Sequence, residues 1–370
     1  REDHVSPWFF SMGNLGYAEF LCGNLEEAKR IHEETNALAT ELDYSPIGIA
    51  FGLNNLGEIE RNLGNMERAQ ELFGEAFTIF KRYKNHRGMA FSLNNLGGVM
   101  YLIGNVVGAQ EKFYKAYELH REIGDLTGTA HSLSSLGNGA STEGNHDEAR
   151  RYYDTALQIR RELGNLRGVA DSLTDLARLE LDAHNIDEGR AYIDESLEIR
   201  ERIGDKQGLS YSKALKSLML LYMEDYDLAE QTIAEALELA RATNNRMALS
   251  QALIGMGMVY IKRNQLDEAH GALVEGLELG QQQGLLMVIL MALTIYAFWL
   301  KAKDDLEASL ALVTQILLYP SSYQITMTED KAKMLREMLI TELNGDAVRR
   351  AEEIGHAIIL DDLIADIIAG

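Results

Sequence analysis

An all-α solenoid of about eight helix-turn-helix repeats, closed by a C-terminal helical cap, is the fold class the sequence predicts. Three observations predict it. Glycines at Gly48, Gly88, Gly128, Gly168 and Gly208 are spaced by 40 residues, and Ala248 and Val288 continue the series. Asn65, Asn105, Asn145, Asn185, Asp225, Gln265 and Asp305 form a second series with the same spacing. Self-similarity at such a period means stacked supersecondary units, each burying its apolar face against the next. Secondly, no stretch sustains the period-2 alternation of a strand. Thirdly, only 3 prolines occur in 370 residues, which suits long helices.

The elements follow in order. An atypical first unit has Gly16 and Asn24 in place, with one extra residue in the loop around Pro46. Residues 88–125 then typify the repeat. Leu93, Leu96 and Met100 fall at helical spacing in a first helix, which stops at the helix-ending pair Gly104-Asn105. Ala109, Phe113, Ala116, Tyr117 and Leu119 mark a second helix, which stops at Gly124-Asp125. Small residues recur inside the first helices at Gly16, Gly57, Gly97, Gly137, Ala177, Ser217, Gly257 and Ala297. A mid-helix glycine costs about 1 kcal/mol relative to alanine. The repeated glycines therefore imply close helix–helix approach, with Phe73, Phe113, Tyr153 and Ile193 as the large partners facing the gaps.

The eighth unit opens on "LLMVILMALTIYAFWL" (285–300), nearly all apolar. A membrane span needs about 20 such residues. This run is shorter and keeps the repeat register, so it reads as a helix buried on several sides. Either the segment 328–370 or a second protein surface must cover it. After Pro320 the period breaks. Residues 328–345 read as one helix capped by Thr328, and two short helices split at Gly355 follow. The organisation expected is a solenoid over 6–325 and capping helices over 326–370.

Composition limits the function. Apolar residues are 46% and charged residues 25%, an ordered and soluble balance. The formal net charge of −22 argues against a nucleic-acid backbone or an anionic membrane as main partner. The single cysteine, Cys22, excludes an intrachain disulfide framework, and a reducing cytoplasm is the simplest fit. With no signal peptide and Arg1 at the start, the chain reads as a cytoplasmic fragment of a longer protein. No phosphate-binding loop, HExxH, nucleophile elbow or multi-cysteine metal motif occurs, and the histidines do not repeat at metal-ligand spacing. No enzyme activity, cofactor or metal is therefore expected.

Leu53, Leu56, Gly57, Ala69, Phe73 and Ala76 match the tetratricopeptide repeat in type and spacing, and the match recurs over roughly 6–325. The chain departs from the family's common form in lacking the proline after the second helix and in its longer unit. It resembles the 40-residue repeats of kinesin light chains, spindle-orientation adaptors and the sensor regions of bacterial signal-transduction ATPases and LuxR-type regulators. The resemblance implies a right-handed superhelix whose first helices line a concave groove. It implies a non-catalytic module that binds a protein or an extended peptide there. The alternative is the effector-sensing arm of a larger bacterial signal-transduction ATPase or transcriptional regulator. The apolar C-terminal repeats also admit self-association.

On this reading Asn54, Asn55, Asn94 and Asn95 project from the first helices towards the groove. Asn14 and Ser135 occupy equivalent places, and the surrounding residues include Arg61, Tyr101, Asn138 and Arg178. A row of amides can satisfy the N–H and C=O groups of an extended backbone, and asparagines hold peptide ligands this way in the resembling families. The same asparagines could instead bridge neighbouring helices.

Overall fold

A computed structural model describes residues 2–319 and 326–369. All nineteen elements among these residues are α-helices. The first helices of the pairs are α1 (Glu2–Leu21), α3 (Pro46–Asn62), α5 (His86–Leu102), α7 (Leu126–Thr142), α9 (Leu166–Asp182), α11 (Lys206–Tyr222), α13 (Arg246–Lys262) and α15 (Leu286–Ala302). Their partners are α2 (Leu25–Glu41), α4 (Met66–Arg82), α6 (Val106–Glu122), α8 (His146–Glu162), α10 (Ile186–Ile203), α12 (Tyr226–Ala242), α14 (Leu266–Gln282) and α16 (Leu306–Leu317). α17 (Thr326–Glu342), α18 (Gly345–Ala357) and α19 (Leu360–Ala369) end the chain. Pro320, where the repeat period breaks, lies outside the described residues.

Two short-range rules terminate the paired helices. A residue with left-handed backbone follows each from α1 to α15, at Gly23, Asp43, Gly64, Lys84, Gly104, Gly124 and onwards to Asp304. The spacing is twenty residues, with one extra between Asp43 and Gly64 as the sequence predicts around Pro46. The next amide returns to the helix, as Asn105 N–H does to the Met100 carbonyl at 2.8 Å, the six-to-one bond of a Schellman turn. That same residue is the N-cap of the following helix, by position alone at Asn24, Asn65, Asn185 and Gln265 and by its side chain at others. The Asn105 side chain accepts from Gly108 N–H at 3.0 Å, Asp125 from Gly128 at 3.0 Å and Asn245 from Ala248 at 3.0 Å. Such caps are worth about 1 kcal/mol each. The periodic asparagine series thus marks helix starts.

The chain forms two compact units, residues 1–139 with 148–165 and residues 140–147 with 166–370. In the first unit, rings from the second helices fill the gaps left by glycine. A Cβ at Gly57 would stand 2.6 Å from Phe73, at Gly97 2.6 Å from Phe113 and at Gly137 2.5 Å from Tyr153. Phe73 is fully buried and Tyr153 nearly so. The unit-opening glycines serve a second contact. Phe80 closes on Gly88, and His120 closes on Gly128.

The second unit keeps the arrangement with aliphatic side chains, such as Leu273 against Gly257 and fully buried Ile193 beside Ala177. Buried Arg200 closes on Gly208 and pairs with buried Asp205 at 2.5 Å. Helices α17, α18 and α19 pack on α16, α15 and α14, so the apolar eighth pair is covered by the chain's own end. Ala332, Leu335 and Leu339 are fully buried there, and Lys301–Glu342 (2.6 Å) and Arg350–Glu307 (2.7 Å) pin the edges. Among the described residues no helix is long and apolar enough to cross a membrane.

Two details of the tail differ from the sequence reading. Helix α17 begins at Thr326, before Thr328, and the last two helices separate at Ile358–Ile359 instead of Gly355. Gly355 lies within α18, where a Cβ would meet the Ala311 carbonyl at 2.5 Å. It marks a contact and leaves the helix unbroken.

Candidate functional site

Successive first helices approach each other in a fixed register, and polar pairs 38 residues apart occupy the seam. Asn54, fully buried on α3, exchanges hydrogen bonds with Ser92 on α5 at 3.1 Å. Asn94, also buried, does the same with Ser132 on α7 at 3.0–3.1 Å, and its amide lies 3.5 Å from His120 Nε2. In the second unit the Thr174 and Ser212 hydroxyls lie 3.1 Å apart, again 38 residues apart. This placement corrects the expectation that Asn54 and Asn94 face the groove. Each points between two helices, where a buried amide needs a partner and a serine hydroxyl supplies it. The serine series Ser92, Ser132, Ser172 and Ser212 carried this signal in the sequence.

Their neighbours turn the other way, as a helical step of about 100° requires. Asn14 is exposed on α1, and Asn55 is half-buried on α3. Asn95 on α5 is 8% exposed, and its Nδ2 has no hydrogen-bond partner. Arg61 pairs with Glu58 Oε1 at 2.5 Å, whereas Glu58 Oε2 is buried without a partner. The Arg61 guanidinium lies 3.3 Å from where a Gly98 Cβ would be, a pairing 37 residues apart. One turn earlier, Phe51 and Phe91 expose about two-fifths of their surface.

The remaining predicted residues hold other posts. Tyr101 packs against the Ala109–Phe113–Leu136 core, and Ser135 donates to the His131 carbonyl at 3.2 Å. Asn138 accepts from the Tyr153 hydroxyl at 2.8 Å. Arg178, in the second unit, donates to the Tyr211 hydroxyl at 2.8 Å and to Asp175 at 3.3 Å. Within the first unit, Asn95 Nδ2 is an unsatisfied donor and Glu58 Oε2, beside Arg61, an unsatisfied acceptor. Glu58 was legible only as a groove position, because nothing in its spacing reveals an unpaired oxygen. Among the described residues no group of three or more His, Cys, Asp or Glu could hold a metal ion.

Comparison with known proteins places the repeat and the fold. Residues 48–122, 89–162 and 128–202 each match the model of a tetratricopeptide repeat. A Rap protein complexed with Competence and Sporulation Factor has a similar structure, at a TM-score of 0.61 and 13% identity, with 91% of this chain and 100% of that chain covered. The Rap conjugation gene regulator of the plasmid pLS20, solved with the Phr* peptide, gives 0.58 and 14%, covering 91% and 97%. Aspartyl phosphate phosphatase F from Bacillus subtilis gives 0.53 and 15%, covering 97% and 93%. At these identities the likeness is one of fold. No curated protein matches the chain in sequence.

Proposed function

We propose that this chain, whose residues 48–202 are tetratricopeptide repeats, is a non-catalytic module that binds an extended segment of another polypeptide along the face of its first helices. One observation carries the reading. Asn95 Nδ2 and Glu58 Oε2 are buried, polar and unpartnered. Leaving such groups unpaired costs about 1–3 kcal/mol each. An unpaired donor and an unpaired acceptor are what the C=O and N–H groups of an extended backbone satisfy. Asn55 and Asn14 extend the same polar row, and exposed Phe51 and Phe91 beside it supply apolar contact for side chains. A similar fold holds a peptide in the complex of the pLS20 regulator. An effector-sensing arm of a larger regulator would use the same row.

The seam and the row make opposite predictions. A peptide selected from a displayed random library would be titrated into purified variants beside thermal melts. Asn95→Ala, which removes an unpaired buried donor, should not lower the melting temperature and should weaken binding by about 1–3 kcal/mol for lost hydrogen bonds. Asn54→Ala should leave Ser92 unpaired, lower the melting temperature and bind normally while folded. Full affinity in Asn95→Ala would remove the row from the binding site.

A further inference from the structure

The second unit holds an arrangement that the polar row does not use. Between α9, α11, α13 and α15 lies a cavity of about 80 Å³. Its walls are largely apolar, with Leu215, Leu218, Ile254, Met258, Met291 and Ile295. Helix α17 brings Lys331 into the lining, 73 residues along the chain from Met258. The Lys331 ammonium sits 5.0 Å from the centre of the Tyr222 ring and 3.8 Å from Met258 Sδ. Among the described residues no carboxylate lies within ion-pair distance of it. The charge that acts on it is Lys262, of like sign. Burial, and then Lys262, bring its pKa down to about 8. Arg178 and Asp182 also line the cavity, and Arg178 is held by Asp175 at 3.3 Å and the Tyr211 hydroxyl at 2.8 Å. Burial pushes Asp182 up to about 6, Arg178 opposes that rise and Asp330 adds to it. Burial and these two carboxylates push Tyr222 up to about 12.

A half-buried cation among a ring, a thioether and hydrocarbon, without a counter-ion, carries a desolvation cost. An anion entering the cavity would offset that cost, and the walls would reward a hydrocarbon tail. A dianion would overcompensate one ammonium and face Asp182 and Asp330. A neutral hydrocarbon would leave the ammonium unpaired. We propose that this cavity binds a small amphipathic monoanion, an apolar chain ending in a carboxylate, with its head on Lys331 Nζ and its tail between α11, α13 and α15. The inference stands apart from the peptide-binding reading, since none of its residues belongs to the row around Asn95.

Calorimetric titration with decanoate and with decan-1-ol, below their aggregation limits, tests it on the full chain. The wild type should bind decanoate at least about tenfold more tightly than the alcohol, the gain expected for a charge-assisted contact. Lys331→Met should abolish that preference and retain the alcohol. Leu218→Trp, which fills the cavity, should lose both. Should Lys331→Met fail to fold, direct competition of the two ligands on the wild type and on Lys331→Arg, which keeps the charge, decides the matter. No binding of either ligand to the wild type would overturn the proposal. So would equal affinity for both, or a decanoate preference that survives loss of the ammonium.

Discussion

Asn94 and Asn95 are adjacent, identical in chemistry and opposite in fate. One is bonded across a helix seam, and the other keeps a buried, unpaired amide nitrogen. The repeat pattern shows both at 54–55 and again at 94–95 and cannot separate them. The partner series does, because a serine 38 residues on is available to only one of the pair. His32 gives a second case. Its ring fills the gap over Gly16, where phenylalanine or tyrosine serves in the next three units, and its Nε2 is buried without a partner. Burial holds its pKa below the ordinary 6.5. The unfolded chain therefore takes up a proton that the folded chain refuses, so stability is fully present above pH 6.5 and declines as the pH falls below it. His32→Phe should remove that contribution, make the acid side of the stability curve shallower and add about 1 kcal/mol by eliminating the unpaired nitrogen. Denaturant melts from neutral to mildly acid pH check this. An unchanged slope would assign the acid loss to His120, whose pKa burial also lowers against the pull of Asp125.

At the scale of the element, the partners of Gly57, Gly97 and Gly137 were readable, because a mid-helix glycine is costly enough to demand a reason, whereas His32 over Gly16 and Leu273 over Gly257 were not. The choice of partner was readable as well. Rings sit over glycine at Gly57–Phe73, Gly97–Phe113 and Gly137–Tyr153, and isoleucine sits beside alanine at Ala177–Ile193. Both solutions fill the same gap, one with a large knob over no side chain and one with a smaller knob over a methyl. A Cβ at residue 97 would stand 2.6 Å from Phe113, closer than packed atoms tolerate. Gly97→Ala should therefore destabilise by about 1–3 kcal/mol despite its better helix propensity. Gly97→Ala with Phe113→Ile should recover most of that loss, with a coupling measurable in a double-mutant cycle. Additive losses would show that the two positions are independent. The tail was less legible at this scale, because Gly355 has the look of a helix break and serves as a contact.

For the whole chain, the covering of the eighth pair by α17 to α19 follows from the apolar excess of α15, and removing residues 320–370 should expose α14 to α16. Light scattering and dye binding should both rise, and a truncated chain that remains monomeric and dye-silent would contradict the covering role. Most of the cavity beside Lys331 follows the repeat period, with Arg178, Leu218 and Met258 spaced by 40 and Tyr211, Gln251 and Met291 likewise, whereas Lys331 comes from the aperiodic tail and had no sequence signal. The turns have the opposite character. A left-handed residue every twenty positions closes each helix locally, with bonds that reach no further than five residues back. Each forty-residue stretch consequently carries both its punctuation and both halves of its seams. A gene that duplicated the codons for residues 86–125 in tandem would place a new Ser92 opposite Asn94 and a new Asn94 opposite Ser132. The length of the array is thereby open to change by recombination in whole units, without redesign of any junction.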